Sequence, residues 1–121
     1  MRCVDIDVTQ CAPLYPPTYR NVFERTFVPG CAANSGACHK DSNALGAQAN
    51  GLAFADAEAS YDILVNHGSP AAFVTPGDGL CSPLLERLDS GDASLLMPPG
   101  APLDPREQCS IARWIDNGAE P

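Results

Sequence analysis

Apolar positions along the chain cluster at three- and four-residue spacing, the period of a helix face rather than of a strand. Tyr19, Val22, Phe23, Thr26 and Phe27 form the first stripe. Thr18 precedes it as a predicted cap, its hydroxyl placed to accept from the free N–H groups of the first turn. Pro29 and Gly30 predict its end, immediately before Cys31. Asp56 predicts a second cap, for a helix with Ala57, Tyr61, Leu64 and Val65 on one face and Gly68 as its left-handed terminus. Ser82-Pro83 predicts a short helix carrying Leu84, Leu85 and Leu88. The last helix opens with Asp104 as cap, Pro105 in the first turn and Glu107 three residues after the cap, a variant of the capping box. Its buried face is Ile111, Trp114 and Ile115, and Gly118 ends it.

No convincing strand pair and no internal repeat break this pattern, so the predicted class is all-α. Residues 1–17 read differently. VDIDV alternates briefly, and the three prolines of CAPLYPP oppose a helix. The expected organisation is therefore an irregular N-terminal tail, 1–17, followed by one helical domain, 18–121. DSNALGAQANG and SPAAFVTPGDGL are read as loops.

Composition limits what such a chain can be. Its 121 residues suffice for one core. Twelve prolines and ten glycines imply much loop, so an internal staple or a bound prosthetic group is expected. The net charge of −8 argues against a phosphate-backbone partner and so against nucleic acid. It favours solubility and encounters with a basic protein partner. Six cysteines point to an oxidising compartment. MRCVDIDVTQC has neither the basic nor the apolar region of a signal peptide, and no run approaches membrane-spanning length. The expectation is a mature exported chain, periplasmic or otherwise extracytoplasmic, touching a membrane only through a removed leader or anchor, with Met1 an expression start.

The candidate chemistry centres on CAANSGACHK, residues 31–40, where Cys38 directly precedes His39 and Cys31 lies seven positions earlier. Covalent haem attachment needs two thiols and a histidine on the same side as the attached sulfur, and Cys-His adjacency supplies the latter pair. The usual motif separates its cysteines by two residues. Here six intervene, which weakens the haem pattern and is a spacing at which local disulfides are common, so the segment alone leaves both readings open. A second axial ligand would come from His67, Met1 or Met97, since Lys40 is too close to His39 to reach the opposite face. Met97, in SLLMPPG, precedes two prolines that stiffen an extended segment, as suits a held thioether. A core methionine is its ordinary alternative. His67 at a helix end suits the helix dipole better. Zinc fits poorly, because Cys38 and His39 are adjacent and no second close pair exists. Hydrolase triads, phosphate loops and HExxH helices do not occur.

The segment LLERLDSGDASLLMPPGAPLDPREQCSIARWIDNGAEP resembles the end of a cytochrome c domain of the planctomycete and myxobacterial type. The resemblance rests on the leucine-bearing helix from Leu84 to Leu88, Met97-Pro98-Pro99, Trp114-Ile115 and Gly118-Ala119. Pro76, Gly77, Asp78, Ser82 and Leu84 resemble the family's PG-D-x-x-x-S-x-L passage, and GLAF at 51–54 its Gly-Leu segment. It covers roughly residues 18–120 and leaves out 1–17. It implies a four-helix cytochrome c fold with first and last helices crossing, His39 as proximal and Met97 as distal iron ligand. Phe23 or Phe27 and Trp114 would pack at that crossing, with Leu52 against one covalent haem c attached at Cys31 and Cys38.

The same resemblance implies an electron carrier rather than an enzyme, because His/Met ligation fills both axial positions. Redox partner proteins with a basic docking face would follow. If both Cys31 and Cys38 bind haem, the other four cysteines pair completely. The expected pairs are Cys3–Cys11, tying the tail locally, and Cys81–Cys109, linking the last two helices. The rival reading is a haem-free, cytochrome-shaped domain stapled by three disulfides, for binding or structure. A haem peroxidase would need Met97 to leave the iron, which nothing in the sequence asks for.

Overall fold

Thr18 turns the chain out of extended backbone (φ −119°, ψ 153°), and its side chain accepts from Asn21 N at 3.3 Å. Helix α1, Tyr19–Val22, starts there. The computed structural model of the chain describes residues 3–31, 54, 56–66, 73–89 and 103–121. Within these, α1 runs directly into a π-helical stretch, Phe23–Cys31. The expected stop at Pro29-Gly30 is thus corrected: the π-helical stretch passes through Pro29 as far as Cys31. Its wider i→i+5 turn brings residues four and five apart onto one face. Val22, Thr26 and Phe27 are accordingly buried together, while Glu24, Arg25 and Pro29 face solvent.

Helix α2 is Ala57–Asn66, capped by Asp56, whose Oδ1 accepts from Glu58 N at 2.8 Å and Ala59 N at 3.2 Å. Its buried face is rotated from the expected one. Ser60 and Leu64 are buried, Tyr61 and Val65 half-buried, and Ala57 exposed. A polar residue lies on the inner face because Ser60 Oγ has two partners there, Tyr19 Oη at 2.6 Å and Ala57 O at 3.1 Å.

Helix α3, Pro83–Leu88, buries Leu84, Leu85 and Leu88 as expected. Ser82 does not cap it with its side chain. The hydroxyl turns back instead, accepting from Thr75 N at 2.9 Å and donating to Asp78 O at 2.7 Å, so this buried serine closes the preceding loop.

Helix α4, Pro105–Asp116, has Asp104 as cap, accepting from Arg106 N at 2.8 Å. Glu107 serves another purpose than a capping box: its Oε2 accepts from Thr26 Oγ1 at 2.7 Å. At the far end Gly118 adopts φ +110°, Gly118 N bonds to Ile115 O and Ala119 N to Trp114 O, each at 3.0 Å. That pair of bonds is a Schellman terminus, for which glycine is the favoured residue. The described residues are helical without strands, an all-α chain with four helices.

Helix α4 lies at the centre. It packs on α1 and on α3. Gln108, buried on it, donates to Leu88 O at 3.4 Å and Leu103 O at 3.1 Å. Residues 3–17 form no helix or strand, yet they run along α4 from its first turns to its end. Leu14 N donates to Arg106 O at 3.1 Å, and Tyr15 N to Ser110 Oγ at 3.2 Å. Arg113 donates from Nε to Val8 O at 2.8 Å and from Nη2 to Cys11 O at 2.7 Å. Val4 N then reaches Leu80 O at 2.7 Å.

Two disulfides anchor this segment, Cys3–Cys81 and Cys11–Cys109. The expected pairs, Cys3–Cys11 and Cys81–Cys109, are both corrected. The course of the segment explains why. Cys11 lies beside the middle of α4 and Cys3 beside the 78–81 turn, so the two stand at different points along the helix. That turn docks at Asp116, Gly79 N donating to Asp116 Oδ1 at 2.7 Å, about two helical turns from Cys109. The observed bonds span 78 and 98 positions. In the chain-entropy description, closing loops of that length stabilises the fold by about 4–5 kcal/mol each.

Candidate functional site

The aromatic residues of α1 and its π-helical extension meet those of α2 and α4 in one cluster. Tyr19 is its hub. Its ring centroid lies 5.1 Å from Trp114, 5.2 Å from Tyr61, 6.1 Å from Phe23 and 6.4 Å from Phe27. Phe27 in turn stacks on Phe54 at 4.4 Å with the planes 29° apart. These separations are those at which aromatic pairs add stabilisation beyond burial. The contact of α1 with α4 is made by Tyr19 and Trp114, and Tyr19 stands between Trp114 and Phe27. The sequence places Tyr19 in the apolar stripe but carries no sign of this bridging position.

Polar atoms in the cluster are partnered. Trp114 Nε1 donates to Glu120 O at 2.8 Å, and Tyr61 Oη to Ala119 O at 2.6 Å. Burial pushes the Tyr19 phenol up to about 12, with the Ser60 hydrogen bond acting in the opposite direction. The Tyr61 phenol is raised by burial and by the nearby Glu120 charge.

A second set of contacts holds the π-helical stretch against α4. Tyr15 Oη and Thr26 Oγ1 are 2.6 Å apart, and Thr26 Oγ1 donates to Glu107 Oε2. With Thr26 donating to the carboxylate, the Tyr15 hydroxyl is the donor to Thr26. The single Ser110 O–H is shared between Tyr15 O at 3.1 Å and Arg106 O at 3.2 Å. Tyr15 and Ser110 did not stand out in the sequence, and Glu107 was read only as part of a capping box. Tyr15 lies in a proline-rich run, and Thr26 occupies an apolar stripe. Burying hydroxyls in such positions is favourable only where each finds a partner.

Among the residues singled out for chemistry, Phe27 and Trp114 are buried members of the aromatic cluster. Cys31 closes the π-helical stretch, four residues beyond Phe27. Cys38, His39, Leu52, His67 and Met97 lie outside the described residues. The two disulfides consume four of the six cysteines, and the two left over are Cys31 and Cys38. Among the described residues, no group of three or more His, Cys, Asp and Glu side chains is arranged to hold a metal ion. No helix there is long and apolar enough to cross a membrane.

Comparison with protein-family models, curated proteins and solved structures found no match for the chain.

Proposed function

We propose that the chain is an extracytoplasmic monohaem c-type cytochrome, a carrier of single electrons. The sequence carries this reading, through the Cys38-His39 pair with Cys31 and Met97. Cys3–Cys81 and Cys11–Cys109 take the four cysteines outside the C-x6-C-H segment, which agrees with haem at Cys31 and Cys38 and equally with a bridge between them. The donor set fits covalent haem in its chemistry, with Cys31 and Cys38 for thioethers, His39 beside Cys38 and the thioether of Met97 in SLLMPPG. Bound haem would supply a one-electron iron couple.

The chain's own residues would hold that group and exclude water from it. Cys31 lies in the π-helical stretch that the buried Thr26 and Phe27 anchor, so one attachment point would stand on a helix docked to the core. Phe27, stacked on Phe54, would offer an apolar wall, and Leu52 and Trp114 would take the packing roles that the cytochrome resemblance implies. Held by His39 and Met97, the group would be left no open position for substrate, which favours a carrier over an enzyme. The charge of −8 suits a redox partner with a basic docking face.

The rival reading is a haem-free binding or structural domain with a Cys31–Cys38 bridge. It is favoured by the two disulfides, which already staple the described residues to one another. Export through a cytochrome maturation system, followed by intact mass and a denaturing haem stain, separates the two. The cytochrome predicts chain plus one haem with two disulfides. A bare chain with all six cysteines bridged, prepared in a host that loads other c-type cytochromes, would overturn it.

A further inference from the structure

Residues 3–17 are held by hydrogen bonds of their backbone to Arg106 O and to the Ser110 and Arg113 side chains of α4, by the buried side chains of Val4 and Tyr15, and by two sulfur bridges, one to α4 and one to the 78–81 turn. The two bridges differ sharply in exposure. Cys3 is exposed and Cys81 half-buried, whereas Cys11 is half-buried and Cys109 has no exposed surface. They also hold different lengths of chain. Cys3–Cys81 secures the outer end, beside the Val4–Leu80 hydrogen bond. Cys11–Cys109 secures the inner part, from which Tyr15 reaches Thr26 and thence Glu107.

We infer that residues 3–17 form a thiol-controlled strap with two ordered fastenings, an outer one open to a small dithiol reductant and an inner one shielded until the outer has gone. Thiol–disulfide exchange requires the attacking thiolate to reach a sulfur, so access sets the order. Attack on Cys3 Sγ forms a mixed disulfide and breaks its bond to Cys81 Sγ. Cys81 leaves as a thiolate and takes a proton from water. The second thiol of the reductant then attacks the mixed disulfide and releases Cys3, which is protonated in turn. The dithiol ends as a disulfide, having given two electrons.

Opening this outer bridge frees the chain only as far as Arg113 and Cys109 allow, because the Arg113 bonds to Val8 O and Cys11 O remain. Opening the inner bridge removes the last covalent hold on Tyr15. The Tyr15–Thr26–Glu107 chain is then held only by the hydrogen bonds to Arg106 and Ser110 and by the burial of Tyr15, so the clamp between the π-helical stretch and α4 loosens. The strap thereby couples the thiol state of the N-terminal segment to the order of the backbone ending at Cys31. This coupling uses described residues only and is independent of the haem reading.

The test is timed treatment of the oxidised full chain with dithiothreitol, with iodoacetamide trapping, peptide mapping and amide hydrogen exchange on each species. The expected intermediate carries tags on Cys3 and Cys81 and keeps Cys11–Cys109, which opens roughly tenfold more slowly. Exchange over 19–31 should stay protected in that intermediate and rise several-fold after the inner bridge opens. Reduction of Cys11–Cys109 first, or of both bridges together, overturns the ordered strap. Unchanged exchange over 19–31 after full reduction overturns the coupling. A Cys3→Ser, Cys81→Ser double variant gives a second reading: it should retain Cys11–Cys109 and protection over 19–31, and loss of either refutes the ordering.

Discussion

Gly79 sits against Ala112 with no room for a side chain: a Cβ at position 79 would stand 2.5 Å from the Ala112 carbonyl oxygen. The same residue donates its N–H to Asp116 Oδ1, and Gly77 N donates to Ile115 O at 2.8 Å, so the 75–82 loop is seated on the last turn of α4. The obstacle is helix backbone, which cannot rotate aside as a side chain would. Gly79→Ala should therefore destabilise the fold by about 1–3 kcal/mol, the usual cost of overpacking. Gly77 has nothing within 4 Å of its Cβ position, but φ is +87°, so Gly77→Ala should cost less and through backbone strain alone. Urea denaturation of the two variants checks the order, and equal loss at both sites would contradict the close approach.

The Tyr19–Ser60 hydrogen bond predicts an asymmetry. Ser60 Oγ donates to Ala57 O, so Tyr19 Oη is the donor to Ser60. Tyr19→Phe leaves Ser60 with a partner and should cost about 1 kcal/mol. Ser60→Ala leaves a buried phenol O–H with no acceptor and should cost about 1–3 kcal/mol. Chemical denaturation of both variants should place Ser60→Ala at the lower midpoint, although it removes far fewer atoms.

Alkaline pH acts on the same hub. The Tyr19 phenol is raised from 10.0 to about 12 in the fold, first by burial. The neutral form is thus the one the fold favours. Its contribution to stability is complete below pH 10, the unfolded value, and is lost as pH rises towards 12. Tyr61 shifts in the same direction, through burial and Glu120. Titration of phenolate absorbance should show late ionisation, and Tyr19→Phe should flatten the fall in stability across that window.

Helix positions were legible because burial in this chain follows helical spacing and because Thr18, Asp56 and Asp104 cap with short side chains directly before an apolar run. Ser82 looked identical in sequence, yet its hydroxyl has Thr75 N and Asp78 O within reach, and the loop outcompetes the helix end. Pro29 misled for a related reason: a proline ends an α-helix, but the π-helical register continues past it. The disulfides were illegible because pairing depends on where residues 3–17 run, and that course is set by Arg113, Ser110 and Thr26, whose partners are mostly backbone carbonyls or distant side chains. Pattern reading sees neither. The chemistry assigned to Cys38, His39 and Met97 rests on motif alone, since those positions lie outside the described residues.

Met97 offers the sharpest test of the proposed ligation. In the exported holoprotein, His39 and Met97 would fill both axial positions, and a thioether ligand raises the reduction potential relative to stronger donors. Met97→Ala should lower that potential and admit small ligands such as cyanide or carbon monoxide to the iron. The thioethers would form at Cys31 and Cys38, so the variant should retain covalent haem, which a denaturing haem stain checks. Voltammetry and absorption spectra in the presence of each ligand read the outcome. Spectra identical to those of the parent protein would exclude Met97 as the distal ligand and turn attention to His67, the remaining imidazole in the chain.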